Sequence, residues 1–231
     1  MKSNSIKADL HIHTHFSFDS LAVPENVLKA AVKRGLNAIA ITDHNELAGA
    51  LEAAAIAKQQ RLPVQVIIGE EVATDKGDLL VYFVKKKILP GTLERVLSDV
   101  KKQGAVSCAA HPYDKVRHGI QLEALEPRLL ANIDAIEAFN SRVTLPSHNV
   151  RALRFAQKHG KAVLAGSDAH HPLEVGSAAV EFIGVKKLDK RSVILSSREV
   201  KAKLSSPLVH FLSRYAVLKK RLRRKKENIL K

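Results

Sequence analysis

Histidines and carboxylates gather in six short stretches of this 231-residue sequence. The first, ADLHIHTHFSFDS at residues 8–20, carries His11, His13 and His15 at period two, with Asp9 before them and Asp19 after. The others are ITDHN with Asp43 and His44, GEE with Glu70 and Glu71, AAHP with His111, IEAFN with Glu137 and Asn140, and GSDAH with Asp168 and His170. Imidazole nitrogen together with carboxylate oxygen suits zinc, manganese or iron better than calcium or magnesium alone. Singly, each stretch has an ordinary explanation: an HxH pair can sit on a surface, and an HP dipeptide marks a turn. Collectively they do not, because buried charges need partners or metals. The donors outnumber the four ligands of one zinc ion, so two metals are expected and three are allowed for. Glu71 is the bridge candidate, since a glutamate presents one oxygen to each of two ions.

These residues need elements to bring them together. Apolar runs predict strands at 6–13, 36–44, 64–72, 77–84, 104–112, 133–140 and 161–170, with another at 176–185. Helices are expected at 23–35, 45–60 (with Asn45 as N-cap), 92–103, 147–160, 197–206 and 207–226. Alternating apolar strands and helices argue for a parallel sheet covered by helices. Nearly every candidate ligand then falls at or just after the C-terminal end of a strand. In a β/α barrel those ends converge on one face, so distant residues share one pocket.

Composition bounds the rest. A 45% hydrophobic chain of this length supports one sizeable core. The single cysteine, Cys108, excludes a disulfide framework and a thiolate-only metal site. No long apolar run or signal-like start is evident, so a cytoplasmic location is expected. The formal charge is +15, of which residues 214–231 carry +8. Leu208, Phe211, Leu212, Tyr215, Leu218 and Leu222 recur at helical spacing, a stripe expected to dock on the barrel or on a partner chain. The basic residues beside it are either a solvated face or a contact for nucleic acid or anionic membrane. Removing residues 219–231 is expected to leave small-ester hydrolysis nearly intact.

The ordered motifs DLHIHT (9–14), AITDHN (40–45), GEE (69–71), AHP (110–112) and GSDAH (166–170) resemble the PHP (polymerase and histidinol phosphatase) domain family, of the small stand-alone phosphoesterase type. The resemblance covers roughly residues 7–185. It implies a distorted seven-stranded (β/α) barrel over residues 1–206, with 207–231 as a basic amphipathic helix and tail. His11, His13, Glu71 and Asp168 match the ligands of one metal. Glu71 and His111 match a second, usually completed by a further histidine; Glu137, Asn140 or the more distant His148 stand near that gap. His44 and His170 match a third, with Asp19 where the family places a histidine or acid. The implied activity is hydrolysis of a small phosphomonoester, a metabolite or nucleotide, by a metal-activated water. Asp43, His111 and His170 are the catalytic candidates, Asp43 by holding a ligand histidine and the histidines by protonating the leaving group. Arg117 and Arg142 are candidates to grip the phosphate. Two alternatives stand beside this: a phosphodiesterase or nuclease whose basic tail recruits nucleic acid, and a non-catalytic nucleic-acid-binding or scaffold protein.

Overall fold

The computed structural model describes residues 5–196, 198–206 and 208–229; the side chain of Leu212, and those of residues 223–231 in the basic run, lie outside what is described. Among the described residues, nine strands form one sheet in the order β7-β6-β5-β4-β3-β2-β1-β8-β9. The strands are β1 (Ser5–Ile12), β2 (Ala38–Ile41), β3 (Gln65–Thr74), β4 (Gly77–Tyr82), β5 (Val106–Ala109), β6 (Ala135–Asn140), β7 (Ala162–Gly166), β8 (Ala178–Ile183) and β9 (Arg198–Ala202). Between and after them run α1 (Pro24–Lys33), α2 (Ala48–Gln59), α3 (Leu93–Gln103), α4 (Pro127–Ala131), α5 (Pro146–Lys158), α6 (Lys190–Leu195) and α7 (Val209–Ile229).

This is an α/β fold with a near-closed nine-stranded sheet, not the seven-stranded barrel expected. Two features account for the difference. Only Asp75 and Lys76 separate β3 from β4, too few for a parallel crossover, so β4 turns back antiparallel to β3 and also pairs antiparallel with β5. At the other side, β8 pairs antiparallel with the N-terminal half of β1, from Ser5 to Ala8. The exit of β7 reaches β1 only at its far end, where the Asp168 amide donates to the His11 carbonyl (2.7 Å) and the His13 amide to the Ala169 carbonyl (2.8 Å). The sheet therefore curls until β7 meets β1 at the ligand end, while β8 holds the other end apart.

The interior is lined by small and medium side chains from most strands, including Ala8, Leu10, Ala40, Ile67, Leu80, Cys108, Ala135 and Leu164. Alternate residues, such as Ile39 and Ile41, face out against Val27 and Leu28 of α1 and Ala50 and Ala53 of α2. The register shifts between Asp9 and Ile12 and again between Glu137 and Phe139. Such irregularities re-aim side chains: Leu10 stays with the interior cluster, Ile12 packs with the helix layer, and His11 and His13 point into the mouth.

Three local expectations are corrected. Asn45 does not cap α2; it has φ 53° and its Oδ1 accepts the Ala73 amide (2.9 Å), while Glu46 Oε1 accepts the amides of Leu47 (2.9 Å) and Ala48 (3.2 Å) at the helix start. Residues 198–202 form β9 instead of a helix, paired antiparallel with β8. Their alternating charges suit an edge strand, where Lys, Arg and Glu discourage further pairing. Of the two places expected for the apolar stripe, the barrel is not the one: Ala216 of α7 is buried, whereas Leu208, just before the helix, and Phe211, Tyr215, Leu218 and Leu222 are each more than half exposed.

Candidate metal centre

Side chains from β1, β3 and the start of β4, and from the loops after β1, β2, β5 and β7, meet at the mouth of the sheet. His11 Nε2 and His13 Nε2 lie 3.0 Å apart, each 3.2 Å from Glu71 Oε2. Asp168 Oδ1 lies 3.4 Å from His13 Nε2 and 3.7 Å from His11 Nε2. The other oxygen of Glu71, Oε1, sits 2.9 Å from His111 Nε2, with Asp78 completing that group. His13, His44 and His170 make a third group. Beside it, Asp19 Oδ2 lies 2.9 Å from His170 Nε2 and 3.6 Å from His44 Nε2. All but Asp19 and His44 are buried.

The hydrogen bonds behind these groups fix which nitrogen carries the proton. His170 Nδ1 donates to the Asp168 carbonyl (2.8 Å), so a neutral ring turns the Nε2 lone pair toward Asp19. His11 Nδ1 donates to Glu137 Oε1 (2.9 Å). Ser17 Oγ–H donates to Asp43 Oδ1 (2.8 Å), so its lone pairs accept from His13 Nδ1 (3.0 Å) and from the His44 amide (3.0 Å). The Nε2 lone pairs of His11, His13 and His170 thus all face carboxylate oxygens. Acceptors at these separations need cations between them. Asp168 is aimed in the same way: Asn140 Nδ2 (2.9 Å) and Arg117 Nη2 occupy Oδ2, and Oδ1 is buried with no hydrogen-bond partner. Asp19 Oδ1 and His111 Nδ1 are also buried without partners. The donor set fits one or more divalent metal sites.

In the metal-free protein, protons on His11 and His13 stand in for those cations. Burial favours a neutral His11, yet the carboxylates of Asp168, Glu137 and Glu71 outweigh it and hold the pKa well above its usual value. His13 is raised in the same way, against burial, to about 9 by Asp168 and Glu71. Glu71 and Asp168 are held well below the carboxylate range despite burial, Glu71 by His44 and His11 and Asp168 by Arg117 and His11. His170 goes the other way: burial pushes it down to about 4. Backbone strain gathers here as well, since His111 (φ 27°) and Asp168 (φ 56°) are both left-handed.

The remaining expected residues stand around this cluster. Asp43 spends Oδ1 on the Thr14 amide (2.6 Å) and Ser17 (2.8 Å), and Oδ2 on Thr14 Oγ1 (2.6 Å), so it backs His13 through Ser17. Glu137 lies behind His11 and also accepts the His111 amide (2.7 Å) and Asn140 Nδ2 (3.1 Å). Arg117 reaches the cluster through Asp168 and also donates to Asn140 Oδ1 (3.2 Å). Arg142, 2% exposed, donates to the Asp168 carbonyl (3.3 Å), the Val209 carbonyl (3.1 Å) and Ser213 Oγ (3.0 Å), tying α7 to the site. His148 lies in the first turn of α5, outside all three donor groups. Asp78 was missed from sequence. Its signal was an acid opening an apolar strand, but only the antiparallel return of β4 brings that strand's start beside Glu71. A groove of about 330 Å³ beside His170 is lined by Leu21, Ala22, Val23, His171, Tyr215 and Ala216, among others.

Comparison with known proteins points the same way. The family described as PHP domain matches residues 9–168, and one described as PHP-associated matches residues 146–194. An uncharacterised protein of Methanocaldococcus jannaschii is 34% identical over 194 residues, 81% of this chain and 76% of its own length. A second from the same organism is 35% identical over 148 residues, 59% of this chain and 82% of its own length. Among solved structures, a two-domain protein from Bacteroides vulgatus, containing a predicted PHP-like metal-dependent phosphoesterase, superposes with a TM-score of 0.70 at 18% identity, over 87% of this chain and 66% of that one; it shares the fold. With the family match spanning more than half of the sequence and the donors meeting at one mouth, this chain belongs to the PHP-domain family.

Proposed function

We propose that the site hydrolyses a small phosphomonoester on two or three divalent ions of the zinc, manganese or iron type. The observation that carries the reading is the divided use of Glu71: Oε2 lies 3.2 Å from both His11 and His13, and Oε1 lies 2.9 Å from His111. A carboxylate aimed both ways is suited to bridge two ions. His11, His13, Glu71 and Asp168 would hold one ion; Glu71, His111 and Asp78 a second; His44, His170 and Asp19 a third. Bound there, such ions supply an acidified water and positive charge for phosphate oxygens.

The chain's own residues do the rest. Glu137 and Ser17 hold the His11 and His13 rings with Nε2 inward, and Asp43 fixes Ser17. Arg117 steadies Asp168 and brings a guanidinium to the cluster, where it is assigned to the phosphate. Both nitrogens of His170 are engaged, which leaves His111, with Nδ1 free of partners, as the histidine able to hold a proton for the leaving oxygen. The groove beside His170 has the size of a small leaving group, which favours a metabolite or nucleotide over a polymer.

The test is metal analysis and hydrolysis on one purified sample. Two or more ions per chain, with turnover of p-nitrophenyl phosphate exceeding that of its bis-ester, is the expected result. Preference for the bis-ester would move the assignment to phosphodiesters. No metal and no turnover after reconstitution with zinc or manganese would overturn it.

A further inference from the structure

We propose that the exposed face of α7 docks this protein onto an anionic lipid bilayer. The helix lies against the barrel through its small and polar side. Ala216 is buried, Ser213 and the Val209 carbonyl accept from Arg142, and Lys220 Nζ donates to the carbonyls of His15 (2.6 Å) and Ser17. These contacts hold the helix with its opposite side outward. That side carries Leu208, Phe211, Tyr215, Leu218 and Leu222, each more than half exposed and spaced three and four residues apart. Four large apolar side chains along one helix, with Leu208 just ahead of it, make a surface that water does not favour.

The charge around the stripe selects the partner. Residues 208–226 contain eight lysines and arginines and no acid. The same spacing would serve a two-helix seam with a second copy of this chain. In that pairing Leu208, Tyr215 and Leu222 take one core position and Phe211 and Leu218 the other, so Arg214, Lys219 and Arg221 flank the seam. Each copy would then bring cations against cations. A nucleic acid matches the charge but leaves three leucines without a partner. An anionic bilayer satisfies both: the stripe enters the acyl boundary while flanking lysines and arginines meet the headgroups. Among the described residues no helix is long and apolar enough to cross a membrane, so the contact is interfacial.

The experiment is co-sedimentation of the full chain with vesicles of phosphatidylcholine, with and without roughly a third phosphatidylserine. Wild-type protein is expected to sediment with the anionic vesicles and to stay in solution with the neutral ones. Phe211→Ser with Leu218→Ser should weaken that binding about tenfold or more, with the melting temperature and small-ester turnover unchanged. Leu222→Ser, one turn further on, supplies an independent reading in the same direction. Absence of binding to the anionic vesicles would overturn the proposal. So would binding untouched by the serine variants, which would mean charge alone, or a dimer that those variants convert to monomer, which would assign the stripe to a second copy.

Discussion

At the scale of single residues, the centre works by fixing lone pairs. Each inward Nε2 is set by a partner on the same ring's far side: Glu137 for His11, Ser17 for His13 and the Asp168 carbonyl for His170. Replacing Asp168 with alanine removes an oxygen aimed at two histidines and frees Arg117. Activity is expected to fall more than about a hundredfold, with less bound metal by elemental analysis. Ser17→Ala leaves the donors in place but releases the His13 ring, so metal affinity should weaken by about tenfold in a chelator competition. The protonation of His13 gives a pH signature. Its folded pKa of about 9 lies above the ordinary imidazole value. In metal-free protein that stabilisation is fully present below the unfolded value of about 6.5 and is lost as pH rises through about 9. Thermal melts in chelator should therefore show a falling midpoint across that window, shallower in a His13→Gln variant, where the raised His11 and His44 remain; a flat wild-type profile would refute the assignment. The histidines and Glu71 were legible from type and order alone. The partners behind them were less so, because serine or threonine in a loop carries no sign of what it touches.

At the scale of elements, close approach of backbone decides the geometry. Gly49 lies in α2, where glycine to alanine ordinarily stabilises a helix by up to about 1 kcal/mol. Here a Cβ would stand 2.0 Å from Asp43 Oδ2 and 2.3 Å from Thr14 Oγ1. Gly49→Ala is therefore expected to invert that sign, destabilising by about 1–3 kcal/mol in denaturant unfolding and lowering metal content, since Asp43 would lose its hold on Ser17. Most strands and helices were readable from apolar runs. The misreadings have physical causes. SREVKAKLSS has no strong period of its own, and β8 supplies the pairing that makes residues 198–202 a strand. Asn45 looks like a cap by type, but its side chain is drawn to the Ala73 amide across the sheet.

At the scale of the whole molecule, α7 belongs with the site as well as with the surface. Lys220 holds the carbonyls of His15 and Ser17, on the loop that also bears Asp19. Truncation at residue 219 removes that anchor, which replaces the expectation that such a truncation is silent. Lys220→Met is expected to lower small-ester turnover by roughly tenfold while α7 stays folded by circular dichroism. Unchanged turnover would restrict α7 to a surface role. Sequence periodicity identified an amphipathic helix here but left its apolar side to either the barrel or a partner chain. Helical spacing says which residues share a face; the barrel's own anchors, Arg142 and the His15–Ser17 carbonyls, decide which face turns inward.

What the sequence determined by itself is the chemistry: the ligand types, their order, their position at strand ends and the likeness to one family. Those follow from local apolar runs and from residue types that carry their function wherever they stand. What only the tertiary structure decided is the geometry: the antiparallel return that brings Asp78 to Glu71, the nine-stranded sheet left short of closure, the ring orientations and the outward face of α7. Each depends on contacts between segments far apart in sequence, and no local pattern encodes which of several compatible partners a segment meets.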